Sequence, residues 1–299
     1  MYVVLGASGN TGHVVADGLL AGHQKVRVVG RNAVHLQPCA TQGAEVFVAD
    51  VTDASALTKA MQQADATYVM VPPNPTSKDP QGYQERVTDC IAAAVKNSGI
   101  KNVVALSSVG ADKTSGTGPV IGLHILEQKL SRIDSANILF LRAGYFMENT
   151  LAQVGIIRMM GSAAGPLRPD LKVPMIATRD IGNAVTDALL QLDFQGKQTR
   201  ELLGHRDLNY TEVAAIIGKA IGKPDLKYIQ LPNDQTRAAM VQSGMSDQFA
   251  RALLEMSEAL NSGHMRALES RTASNTTPTS FETFVTEKFV PAYQKQAAA

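Results

Sequence analysis

The sequence predicts an α/β protein: a doubly wound parallel sheet followed by a smaller α+β lobe. Three observations point there. The first half alternates short apolar runs with amphipathic helical patterns. Those runs lack strict polar alternation, as strands do when helices cover both faces. A glycine-rich stretch, Gly6-Ala7-Ser8-Gly9-Asn10-Thr11-Gly12, directly follows the first run and opens the first helical pattern.

The expected strands of the first half are Tyr2–Leu5, Lys25–Val29, Glu45–Ala49, Ala66–Val71, Asn102–Leu106 and Asn137–Leu141. Between them, Gly12, Val15, Ala16 and Leu19 share one helix face. Val87 to Ala94 repeats that spacing. Leu57, Ala60, Met61 and Ala64 form a third stripe behind Asp53, a residue suited to capping the helix start.

Near residue 150 the rhythm changes. We therefore expect a nucleotide-binding domain over 1–150 and a smaller substrate lobe over 151–299, with segments returning to the sheet. Met159–Lys172 is rich in Gly, Pro and Ala and is expected to be a loop. Val173–Thr178 and Thr199–Gly204 read as strands around a helix at Asp180–Leu192. A helix at Tyr210–Ile221 stops at Gly-Lys-Pro, and Leu226–Leu231 is a further strand. Phe249, Ala252, Leu253, Met256 and Leu260 mark the apolar face of another helix. Ser270–Ser280 is a polar loop before a last helix, Phe281–Phe289.

Composition narrows the function classes. Lys plus Arg is 28 against 27 acidic residues, a net charge of +1. No global field favours nucleic acid or an anionic membrane. No basic stripe, zinc module or helix-turn-helix pattern is present, so no nucleic-acid partner is expected. No signal peptide or membrane span is expected, and the chain is read as cytoplasmic. The two cysteines, Cys39 and Cys90, make no disulfide framework. Cys90 falls at apolar helical spacing and is expected in the core. The histidines form no metal-ligand spacing, and no metal is expected.

The glycine stretch carries the first chemical signal. Gly6 permits a tight turn, Gly9 lets the backbone approach a pyrophosphate, and Gly12 lets the helix pack close to the strand. The helix N-terminus then offers free N–H groups to phosphate, and Ser8, Asn10 and Thr11 belong to the same expected site. Nineteen residues after Gly12, at the end of the second strand, an acid normally holds a ribose hydroxyl; here Arg31 stands there. A guanidinium pairs with a 2′-phosphate through two donors, so the expected cofactor is NADP(H), with Asn32 adding a polar contact. Other strand ends face the same crevice. Asp50 and Val51 are placed beside the adenine; Val71, Pro72 and Pro73 along the cofactor; Ser107 near the nicotinamide. Gly144, Tyr145 and Phe146 follow the sixth strand on the same side.

At this point the chain resembles a known group. Residues 6–12, Arg31, the stretch Val48–Asp53 and especially Leu141–Asn149 resemble the NmrA-like branch of the atypical short-chain dehydrogenase/reductases. Thr178–Leu190 and Asn209–Pro224 continue the resemblance through the second half. It implies a Rossmann-type fold and NADPH-dependent reduction of quinones, azo dyes or triarylmethane dyes. The same family holds NADP-sensing regulators that turn over little or nothing.

Dehydrogenases of related fold use Tyr-x-x-x-Lys after the fifth strand. None of the seven tyrosines has Lys four residues on. Carbonyl reduction needs a proton source beside the hydride, whereas a quinone or delocalised dye spreads the incoming charge. The expected partner is therefore a small aromatic or conjugated acceptor, with Tyr145, Phe146 and Asn149 as its binding residues. A homodimer is compatible with the reading, and a protein partner applies if the chain is a sensor. The catalytic residues stay unassigned, His124 and Tyr145 being the candidates. Glu127, three residues after His124, reads as a structural partner for a basic or backbone group. Pro72–Pro80 is a stiff loop over the site or a lid.

Overall fold

The structure is a computed structural model that describes residues 1–295. The first half runs β1 (Tyr2–Leu5), α1 (Asn10–Ala21), β2 (Val26–Gly30), α2 (Ala33–Thr41), β3 (Glu45–Val48), α3 (Ala54–Met61), β4 (Ala66–Val69), α4 (Pro80–Ser98), β5 (Asn102–Ser108), α5 (Ile121–Ser131) and β6 (Asn137–Ala143). The second half runs β7 (Tyr145–Phe146), α6 (Gln153–Met160), β8 (Ala163–Gly165), β9 (Val173–Ile176), α7 (Thr178–Gln191), β10 (Lys197–Leu202), β11 (Arg206–Leu208), α8 (Tyr210–Ala220), β12 (Tyr228–Gln230), α9 (Asn233–Gln242), α10 (Asp247–Asn261), α11 (Phe281–Phe284) and α12 (Val290–Lys295).

Seven strands form one parallel sheet in the order β10-β6-β5-β4-β1-β2-β3. The strand order reverses between β1 and β4, which opens the ligand crevice at their carboxyl ends. One face buries Val4, Val15, Leu19 and Leu36 with Ile181 and Val185 of α7. The other buries Leu5, Leu57, Ile91 and Leu126 from α3, α4 and α5. Apolar residues on successive β1 positions thus go to opposite cores, which explains why the strand shows no polar alternation. A third core, with Val154, Val173, Val213, Ile217, Phe281 and Phe289, lies within the second half. The helix α7 and the strand β10 join the sheet despite following residue 150, and α7 packs on α1 where Gly182 meets Val14. No helix among the described residues is long and apolar enough to cross a membrane.

The six early strands lie within two residues of the expected bounds. Strands β5 and β6 run further than expected because they pair together through Ser108 and Ala143. Three expectations need correction. The supposed loop Met159–Lys172 contains β8, whose Ala-Ala-Gly sequence has no strand pattern; pairing with Tyr228–Gln230 makes it a strand. Cys90 is half-buried at the core edge, its thiol donating to the Thr52 carbonyl at 3.1 Å, while Cys39 is the buried one. The last expected helix, Phe281–Phe289, is α11 running into a wider π turn, Val285–Phe289, and on into α12.

Candidate functional site

The glycine turn is built as its sequence demands. Gly6 sits at φ +66°, a left-handed conformation that favours glycine. A Cβ on Gly12 would lie 2.3 Å from the Gly6 carbonyl oxygen, so only glycine lets α1 start this close to β1. The helix has no side-chain cap at Gly9 and no acid in its first turn, so its leading amides stay available to an anion. Ser8, Gly9 and Asn10 are exposed. Thr11 is buried instead, its hydroxyl 2.8 Å from that of Tyr68 on β4. This bond ties the turn to the strand beyond the crevice and gives Thr11 a positioning task. The uncapped amides and the glycine cradle fit a dinucleotide phosphate.

Arg31 follows β2 and is exposed, with no hydrogen bond or ion pair to any described residue. Its charge helps hold the Asp50 carboxyl below its ordinary pKa, behind the larger effect of the Thr52 hydroxyl bond. Asp50 Oδ1 accepts from Thr52 N at 2.8 Å and Thr52 Oγ1 at 2.6 Å, which leaves Oδ2 for another donor. Asn32 caps α2 by accepting from Val34 N at 2.9 Å, and its amide N–H groups meet no acceptor among the described residues. Tyr83 of α4 also lies here. Burial raises its phenol pKa and the charge of Arg31 opposes that rise. Sequence reading missed Tyr83, because nothing in its helix pattern separates a crevice-facing tyrosine from a packed one.

Beginning beside Tyr83, a cleft of about 1090 Å³ runs along the strand ends toward the second half. Its floor includes Val71, Pro72, Pro73, Ser107 and Gly144. Tyr145, Phe146 and Asn149 lie on the wall, and Phe249, Ala252, Met256 and Leu260 of α10 form the roof. The stripe seen in the sequence is therefore a cleft surface as well as a core face. Tyr145 and Phe146 are successive strand residues and face opposite sides. Phe146 packs on the sheet's core and Tyr145 on the core of the second half, so both line the cleft and close the junction. Gly144 is fixed by space: a Cβ there would lie 2.5 Å from the Pro174 carbonyl.

The proline-rich loop after β4 is fastened to the roof. The Ser246 amide donates to the Pro75 carbonyl at 2.8 Å, and the Ser246 hydroxyl donates to the Ser77 carbonyl while accepting from Phe249 N to cap α10. Ser246→Ala is expected to cost about 1–2 kcal/mol of stability and to speed amide exchange at the start of α10, measured by hydrogen exchange.

Beneath the cleft Glu127 is the structural partner of a basic group, as its sequence position suggested, although the sequence did not name the partner. Glu127 of α5 takes two bonds from Arg142 of β6, at 2.9 and 2.6 Å, and one from Ser107 Oγ at 2.5 Å. Glu127 and Arg142 side chains are 8% and 12% exposed. The segment where a Tyr-x-x-x-Lys pair would stand thus contributes Glu127 to a network with Arg142 and Ser107 that locks β5, β6 and α5 together. Arg142 in an apolar strand and Glu127 on a buried helix face were the available signals. His124 is turned away: its Nδ1 lies 2.9 Å from the Ala111 carbonyl, and Leu123 rather than His124 lines the cleft. Glu148 caps α7, accepting from Thr178 N and Oγ1 at 3.0 and 2.6 Å, and leaves its neighbour Asn149 at the cleft.

His13, Asp17 and Cys39 also come together, through a 3.1 Å contact on His13 Nε2 and a 3.9 Å contact on Nδ1. The carboxylate and the thiol meet opposite ring nitrogens, so the arrangement does not converge on one ion.

Among characterised proteins, the chain is 28% identical to (4-alkanoyl-5-oxo-2,5-dihydrofuran-3-yl)methyl phosphate reductase of Streptomyces griseus over 263 residues, 88% of each chain. It is 27% identical to quinone oxidoreductase 2 of Escherichia coli over 265 residues, 88% of this chain and 89% of that one. Its fold is similar to the crystal structure of Citrobacter sp. triphenylmethane reductase complexed with NADP(H), at 18% identity and a TM-score of 0.78 across 97% of this chain and 100% of that one. The model of the NmrA-like family matches residues 2–285, and the chain belongs to that family.

Proposed function

We propose that this chain is an NADP(H)-dependent oxidoreductase that donates hydride to a quinone-like or dye-like conjugated acceptor. One observation carries the reading: a largely apolar cleft lies over the carboxyl ends of β4, β5 and β6, where a nicotinamide belongs, with an unpaired arginine at the far end of the crevice. In this reading Gly6, Ser8, Gly9, Asn10 and Gly12 cradle the pyrophosphate, and Thr11 holds the turn. Arg31 and Asn32 take the 2′-phosphate, and Asp50 and Val51 meet the adenine. Val71, Pro72, Pro73, Ser107 and Gly144 bed the nicotinamide. Bound there, the cofactor supplies hydride; the chain's residues fix its distance and angle to the acceptor and exclude water.

The relatives named as reductases support the activity. The α5 segment holds no Tyr-x-x-x-Lys pair of the kind that alcohol and sugar dehydrogenation uses, its Glu127 being taken by Arg142 of β6, and this supports the acceptor class. The test is steady-state NADPH consumption with a panel of benzoquinones, naphthoquinones and triarylmethane dyes. Saturable oxidation with at least one class is expected. Saturable NADPH binding with no oxidation above buffer across the panel would instead favour the alternative, a cofactor-sensing regulator that acts through a protein partner.

A further inference from the structure

A quinone that accepts hydride becomes a hydroquinone monoanion and still needs one proton. The α5 segment offers none, since Glu127 is held by Arg142 and Ser107 and His124 faces Ala111. Tyr145 is different. It lines the cleft one residue beyond Gly144 and is only half-buried. Its oxygen accepts from the Tyr210 hydroxyl at 3.2 Å, the two rings meeting edge to face with centroids 6.4 Å apart. The Asn149 side chain bonds to the same group and, like Tyr210, favours its charged form. With the Tyr210 hydroxyl donating to its oxygen, the Tyr145 O–H has no acceptor among the described residues and is left for the cleft. Tyr210 is held rigidly: it is 4% exposed, its ring lies 4.7 Å from that of Tyr228, and the Tyr228 hydroxyl donates to the Leu167 carbonyl at 3.0 Å.

We propose that Tyr145 is the proton donor to the reduced acceptor and that Tyr210 positions it, an inference that rests on the hydride-donor reading above. The step balances. The nicotinamide C–H bond breaks and its electron pair and hydrogen bond to the quinone, which oxidises the cofactor and reduces the acceptor. The resulting oxyanion takes the Tyr145 proton. The tyrosinate left behind is held by the Tyr210 and Asn149 donors and regains a proton from water. Burial raises the Tyr145 pKa against these two bonds, so the phenol carries its proton at neutral pH. In a Tyr-x-x-x-Lys pair a lysine stabilises the phenolate; here two hydrogen-bond donors take that task, on a different element.

The experiment compares acceptors that differ only in their need for a proton. A quinone must be protonated after hydride transfer, whereas a triarylmethane dye cation becomes its neutral leuco form with no proton. Tyr145→Phe is expected to lower kcat about 10²-fold with a naphthoquinone and no more than a few-fold with the dye cation. Tyr210→Phe is expected to give the same split at smaller size. A second readout needs no turnover: absorbance titration with 4-nitrophenolate, a stable mimic of the oxyanion, is expected to show about 10-fold or greater weakening in Tyr145→Phe. Equal losses with both acceptors together with unchanged nitrophenolate affinity overturn the proposal. If wild-type protein oxidises NADPH with neither acceptor, the reading of function fails, and the titration still decides the role of Tyr145 by itself.

Discussion

Replacing Glu127 with alanine is expected to cost about 3–5 kcal/mol of folding stability. The change strips Arg142, whose side chain is 12% exposed, of its two charge-assisted bonds, and it strips the Ser107 hydroxyl of its acceptor. Desolvating an unpaired charge is the dominant expense, since the pair itself contributes little net stability against an apolar replacement. That asymmetry makes the prediction specific. Glu127→Leu combined with Arg142→Met is expected to recover most of the loss, because both charges leave together. Urea denaturation of the single and double variants measures it. A double variant as unstable as Glu127→Ala would show that the loss comes from packing around α5 and not from the stranded charge.

Arg31→Ala is expected to weaken NADPH by about 10- to 100-fold, the equivalent of one charge-assisted contact of about 1.5–3 kcal/mol, and to leave NADH nearly unchanged. The reasoning is geometric as well as chemical. Among the described residues Arg31 has no ion pair to surrender on binding, and it follows the strand at the crevice edge. Asp50 nearby does not compete fully, because its Oδ1 already accepts two bonds from Thr52. Fluorescence titration with both cofactors reads the ratio directly. Equal losses for NADPH and NADH would remove the 2′-phosphate from the account.

What was legible in the sequence was local. The glycine turn is specified by three glycines in seven residues, and the structure shows why at Gly6 and Gly12: one needs positive φ, the other lacks room for a Cβ. The central strands β1, β4, β5 and β6 announced themselves because burial on both faces leaves them mostly apolar. What was not legible depends on residues far apart in the chain. The Glu127–Arg142–Ser107 network joins a helix and two strands, and although Glu127 read as a structural partner, nothing local paired it with Arg142 and Ser107. The Tyr145–Tyr210 bond spans 65 positions, and no spacing rule connects them. Strand β8 exists only because β12 pairs with it. Cys39 and Cys90 show the limit of helical periodicity, which gives the inward face of a helix but not how deeply that helix is covered.

The most direct test of hydride donation is a single-turnover experiment. Protein loaded with NADPH is mixed anaerobically with a naphthoquinone, and the nicotinamide absorbance is followed, with a parallel run using NADPH deuterated at the transferring C4 position. The account predicts stoichiometric loss of NADPH and slower transfer of the deuterated hydride. Tight NADPH binding with no loss of absorbance on adding the acceptor would contradict it.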